Sequence, residues 1–104
     1  GYCVGEPWNG VAVKQNVGFT EISSQDIWKH HPEKALVVNK KFSEERREDL
    51  KNVMKAVLEA CKWLDNRANR KKAAEIIGRP PYVNAPADVI EARLMGDYNL
   101  GCNQ

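Results

Sequence analysis

The chain has no run of about 20 apolar residues, so its sequence holds no candidate for a membrane-crossing helix. Charge of one sign is scarce too. Sixteen Lys and Arg face 14 Asp and Glu, and the resulting net charge of +2 is too small to mark a nucleic-acid protein. Cysteine is confined to Cys3, Cys61 and Cys102, far apart, odd in number and without a CxxC pair. That pattern argues against a zinc knuckle, a thioredoxin-type site or a disulfide scaffold. A single Cys3–Cys102 bridge is compatible with the sequence and is not dictated by it. Histidine occurs only as His30-His31. Neighbours on a helical turn point about 100° apart and rarely share a metal, so a solvated loop is the better account of this pair. GxSxG, HExxH, Walker A and GxGxxG motifs are all missing. Hydrolytic and redox chemistry therefore have no carrier, and the chain reads as a non-enzyme.

What is present describes one domain. At 104 residues, folding buries roughly 65% of the unfolded surface, enough for one modest core. The 42% hydrophobic and 29% charged composition is that of a globular chain, not a disordered one. No internal repeat or low-complexity stretch occurs. The chain opens on Gly1-Tyr2-Cys3-Val4 with no initiator Met and no signal-like segment. It reads as a fragment or excised domain.

Tyr2-Cys3-Val4-Gly5 reads as a short strand ended by Gly5 and Pro7. A short helix is expected over 8–16, and Phe19 to Ser23 alternates like a brief strand. Ser24 is a plausible N-cap for one turn, which Pro32 then blocks. Ala35 to Asn39 is a continuous apolar run of strand length, as in a buried sheet. The strongest signal is a helix from about Ser43 to Asn66, with Ser43 as N-cap. Leu50, Val53, Met54, Val57, Leu58, Cys61 and Leu64 form one wide apolar stripe on it, expected to face the core. Further helices are expected over 67–77, stopped by Gly78 and Pro80-Pro81, and over about 85–94. Arg67, Arg70, Lys71 and Lys72 form a basic cluster without interleaved aromatics, flanked by Asp65 and Glu75. A solvated helix face accounts for it, and no nucleic-acid partner is expected.

The stretch with most chemical content is Val4-Gly5-Glu6-Pro7-Trp8-Asn9. A strand runs out, Gly5 lets the chain turn, and Pro7 stiffens the exit. A carboxylate, an indole and an amide then stand close together where open α/β sheets bind ligands. A purely structural turn in which Trp8 only packs is the competing account.

Several ordered motifs carry a resemblance. Gly1-Tyr2-Cys3-Val4-Gly5-Glu6-Pro7-Trp8-Asn9, Ile27-Trp28-Lys29-His30-His31-Pro32-Glu33-Lys34-Ala35, Trp63-Leu64-Asp65-Asn66, Lys72-Ala73-Ala74-Glu75-Ile76-Ile77 and Gly96-Asp97-Tyr98-Asn99-Leu100-Gly101 resemble the nitrate- and bicarbonate-binding proteins of ABC transporters. The resemblance covers nearly the whole chain. It implies an α/β fold, a partial lobe of the type II periplasmic-binding-protein class. Residues 2–5 would be the strand crossing the hinge, residues 35–39 a core strand, and the long helix would pack on the sheet. It also implies non-catalytic capture of a small inorganic anion by closure of two lobes, then delivery to a membrane permease. Glu6, Trp8 and Asn9 are the implied ligand contacts. A carboxylate facing an anion repels it unless a cation lies between. Glu6 is therefore also the implied ligand of a calcium ion bridging to the anion, which tilts the expectation toward bicarbonate. No other cofactor is implied. The implied compartment is the periplasm, or the outer face of the inner membrane through a lipid anchor.

Two other readings remain open at this point. One is a cytoplasmic, regulatory, binding-protein-like domain fused to the transporter's ATPase subunit, which suits three unpaired thiols. The other is a small helical interaction module whose binding face is the 43–66 helix. A severed lobe piece should self-associate, whereas an autonomous module should stay monomeric.

Overall fold

The computed structural model describes residues 1–101, and these form helices joined by irregular connections. The helices are α1 (Trp8–Lys14), α2 (Ser24–Ile27), α3 (Lys40–Glu45), α4 (Arg47–Asp65), α5 (Arg70–Ile77) and α6 (Ala87–Met95), with a 3₁₀ turn at Arg67–Asn69. Cys102, and with it the suggested Cys3–Cys102 bridge, lies outside the described residues.

The strands expected at 2–5, 19–23 and 35–39 do not form among the described residues. The reason is pairing. A strand exists only where a neighbour completes its hydrogen-bond ladder, and none of these segments has one among the described residues. Thr20 N–H donates to the Leu100 carbonyl at 2.8 Å, a single tie and not a ladder. Leu36 and Val37 stand in solvent, Val37 at 83% exposure, although their run is as apolar as a buried strand. The α/β expectation therefore needs correction for these residues: the chain carries the helices of such a fold.

The long helix also differs in its start. It begins at Lys40, capped by the Asn39 side chain, which accepts from Phe42 N–H at 2.7 Å. Ser43 instead turns its hydroxyl back to the Lys40 carbonyl at 2.7 Å. At Arg46 the backbone leaves the helical region (φ −124°, ψ 45°), which separates α3 from α4. Glu48 and Asp49 sit in the first turn of α4 and Lys62 in the last, as the helix dipole favours. The apolar stripe of α4 meets no partner surface: none of its residues is buried, and Leu58 is 67% exposed.

Burial is concentrated elsewhere. Ala74, Ala85 and Ile90 form the core, with Val11, Ile77, Val83 and Leu94 packed around them. Small residues make this possible, because Ala73, Ala74 and Ala85 let α5 and α6 approach closely. A Cβ on Gly78 would lie 2.8 Å from the Ala85 carbonyl, so only glycine admits the connection there. Gly96 closes α6 in the left-handed conformation at φ 90°. The radius of gyration is 16.4 Å, against about 13 Å for a compact domain of this length. One part of the molecule is a packed knot of α1, α5 and α6, and the rest projects from it.

Candidate functional site

The Gly5–Asn9 turn sits on that knot. Trp8 N–H donates to the Gly5 carbonyl at 3.2 Å, and Asn9 Nδ2 donates to the Val4 carbonyl at 3.1 Å. The Glu6–Pro7 peptide bond is cis, and Pro7 is buried. The structure brings all three implied contact residues together where the chain enters α1, Glu6 just before the helix and Trp8 and Asn9 as its first two residues, and gives each a different environment.

Glu6 faces inward. Its Oε2 lies 3.2 Å from Arg93 Nε and accepts from the Gly10 N–H at 3.4 Å. Arg93 projects from α6 and its side chain is only 7% exposed. Its Nη2 donates to the Asn99 carbonyl at 3.2 Å, its Nη1 reaches the Asp97 carbonyl at 3.5 Å, and its guanidinium stands 4.8 Å over the Tyr98 ring. A Cβ on Gly10 would lie 2.7 Å from Val89 Cγ1 and 2.8 Å from Arg93 Nε, so glycine is what lets α1 cross α6 here.

Asn9 spends one amide hydrogen on the Val4 carbonyl and is half-buried. Trp8 is the member with free surface, 46% exposed, and it offers a flat apolar face with one N–H donor.

Calcium takes six to eight oxygens, and among the described residues no group of three or more His, Cys, Asp or Glu side chains comes together. Glu6 Oε2 is already held by a guanidinium, and a divalent cation beside it would meet Arg93's charge. The cation that neutralises Glu6 belongs to this chain.

Arg93 was not legible as a partner of Glu6, 87 positions away, although a signal existed. It is the one cation within the apolar run Val89, Ile90, Arg93, Leu94 of α6. The basic cluster likewise holds more than a solvated face. Arg70 Nη1 donates to the Leu94 carbonyl at 2.9 Å and its Nε to the Leu64 carbonyl at 3.1 Å, so it caps the ends of α6 and α4 together. Arg67 Nη2 adds a bond to the Met95 carbonyl at 3.2 Å. His31 shares a hydrogen bond with Ser24 Oγ at 2.8 Å, in an exposed loop where His30 adopts φ 60°. No helix of the described residues is long and apolar enough to cross a membrane.

The chain is similar to known proteins. The NMT1-like family matches residues 1–78. The nitrate import ATP-binding protein NrtC of Synechocystis is 37% identical over 97% of this chain and 15% of its own length. The nitrate/nitrite binding protein NrtA of Nostoc is 36% identical over 97% of this chain and 23% of its own. The crystal structure of the periplasmic nitrate-binding protein NrtA from Synechocystis superposes with a TM-score of 0.92 at 33% identity, covering 98% of this chain and 26% of that one. The chain thus spans about a quarter of the length of the nitrate-binding relatives, and shares the backbone course of one part of a periplasmic binding protein. With residues 1–78 of its 104 matched, the chain belongs to the NMT1-like family.

Proposed function

We propose that this chain is a segment of the solute-binding unit of an ABC importer for a small inorganic anion, with nitrate as the ligand favoured over bicarbonate. The observation that carries the reading is the 0.92 TM-score against the nitrate-binding NrtA over 98% of the chain. Capture involves no bond-making: the anion stabilises a closed state by binding it more tightly than the open one, and the closed form engages a membrane permease. Trp8 supplies a wall and a donor, and Asn9 shapes the turn beside it. Internal neutralisation of Glu6 by Arg93 supports anion binding without a bridging metal, and so supports nitrate. Likeness to a periplasmic protein supports the periplasm as the compartment, with a lipid anchor to the inner membrane as a variant.

A chimera tests this. The matched part of NrtA is replaced by this chain, and nitrate and bicarbonate are titrated calorimetrically. A chimera that melts cooperatively and binds nitrate, with affinity lowered by Trp8→Ala, supports the reading. A chimera that melts cooperatively and binds neither anion overturns it.

A second reading draws on the 37% identity to an ATP-binding protein of nitrate import. There the chain would be part of a cytoplasmic regulatory domain joined to an ATPase subunit. The parent open reading frame distinguishes the two: a P-loop ATPase upstream supports this reading, and a secretion signal supports the first.

A further inference from the structure

Glu6 was expected to meet the ligand or its metal. Its carboxylate makes two contacts within the chain. Oε2 holds the Arg93 guanidinium and the Gly10 N–H at once, while Arg93 also holds the carbonyls of Asp97 and Asn99 and lies over Tyr98. One nearly buried cation thus ties two stretches of chain together: Glu6 to Gly10 at the start of α1, and α6 with the 97–99 segment that follows it. The two stretches are far apart in sequence, and Trp8 is the first residue of α1. The ion pair, with Oε2 3.2 Å from Nε, holds the residue that precedes α1 against α6. The residue carried by this clamp at the surface is Trp8, two positions from Glu6.

We infer that Glu6 and Arg93 form a positioning pair that sets the orientation of Trp8, and that Glu6 is not a metal ligand. The inference rests on the reading of Trp8 as an anion contact. A misplacement of about an ångström in a binding group can cost on the order of a hundredfold in effect, so a positioning pair is felt at the ligand without touching it.

Two measurements separate this inference from the reading beneath it. In the NrtA chimera, Glu6→Gln should weaken nitrate binding about tenfold while the thermal transition remains cooperative. Trp8→Ala should weaken it by a similar factor. The double variant should be no weaker than Trp8→Ala alone, because Glu6 acts through Trp8. Arg93→Lys, which keeps the charge and loses the planar fork, should fall between wild type and Glu6→Gln. Calcium should leave every one of these affinities unchanged. Strictly additive losses, a silent Glu6→Gln, or a calcium-dependent gain that vanishes in Glu6→Gln would each overturn the pair's role. The other measurement needs no anion. In the full 104-residue chain carrying Trp28→Phe and Trp63→Phe, Trp8 is the sole indole. Glu6→Gln should raise its acrylamide quenching, and calcium should not alter it. If the chimera binds no anion yet Glu6→Gln still frees Trp8, the pair stands and the anion reading falls. If quenching is unchanged by Glu6→Gln, the pair falls whatever the anion data say.

Discussion

The knot of α1, α5 and α6 and the arm of α3 and α4 both carry apolar residues at helical spacing, and their fates are opposite. In the knot, short helices bury Ala12, Ala73, Ala74, Ala85, Val89 and Ile90. In the arm, a 19-residue helix with a wide apolar stripe buries nothing. The difference is not one of helix quality, since α4 has the better charge placement and the longer ladder of hydrogen bonds. It is one of partners. Small residues at Gly10, Ala74 and Gly78 let three helices meet within the chain, whereas the stripe of α4 and the run at 35–38 find no cover among the described residues. The superposition on a binding protein four times longer gives that surface a natural source.

Substitutions sharpen the contrast. Ile90→Ala removes a side chain at the centre of the knot, where it is 5% exposed, and should destabilise the chain by about 2–4 kcal/mol in urea denaturation. Gly10→Ala comes next. Its methyl gains helix propensity but collides with Val89 and Arg93, for a net loss of about 1–2 kcal/mol, again by urea denaturation. On the arm, Leu58→Ser should change stability by less than about 0.5 kcal/mol, because Leu58 is already in water. A loss at Leu58 as large as that at Ile90 would erase the distinction between the two regions.

The smallest effect is local and depends on pH. Hydrogen bonds from the Ser23 side chain and backbone hold the Asp26 carboxyl below its ordinary value. A carboxylate with a lowered folded pKa contributes stability above its unfolded value and loses it as pH falls through the lowered one. The capping box of α2 should therefore stay closed down to mildly acidic pH and open only in stronger acid, with the Ser23 amide shift as the NMR reporter. A shift that moves at or above the ordinary carboxylate range contradicts this.

Much of the helix pattern was legible because it depends on neighbours three and four positions apart. Gly78 with Pro80-Pro81, and Gly96, act through the backbone within one turn. The strands at 2–5 and 35–39 were legible as apolar runs but not as strands, since pairing depends on a segment the sequence of this chain does not supply. Glu6, Trp8 and Asn9 were found as a turn. The ion pair of Glu6 was hidden because its partner, Arg93, lies 87 positions on and reaches Glu6 only through the crossing at Gly10. Arg67 and Arg70 were misjudged for the same reason: the carbonyls they cap belong to helix ends brought together by the fold.

On the proposed reading the knot is complete within this chain, and the α3–α4 arm is covered by other parts of a binding protein. Amide hydrogen exchange reads it directly, comparing the 104-residue chain with the same chain inside the NrtA chimera. Protection across α4 should rise about a hundredfold on insertion, while that of α5 and α6 changes little. Equal protection of α4 in both settings would contradict the account.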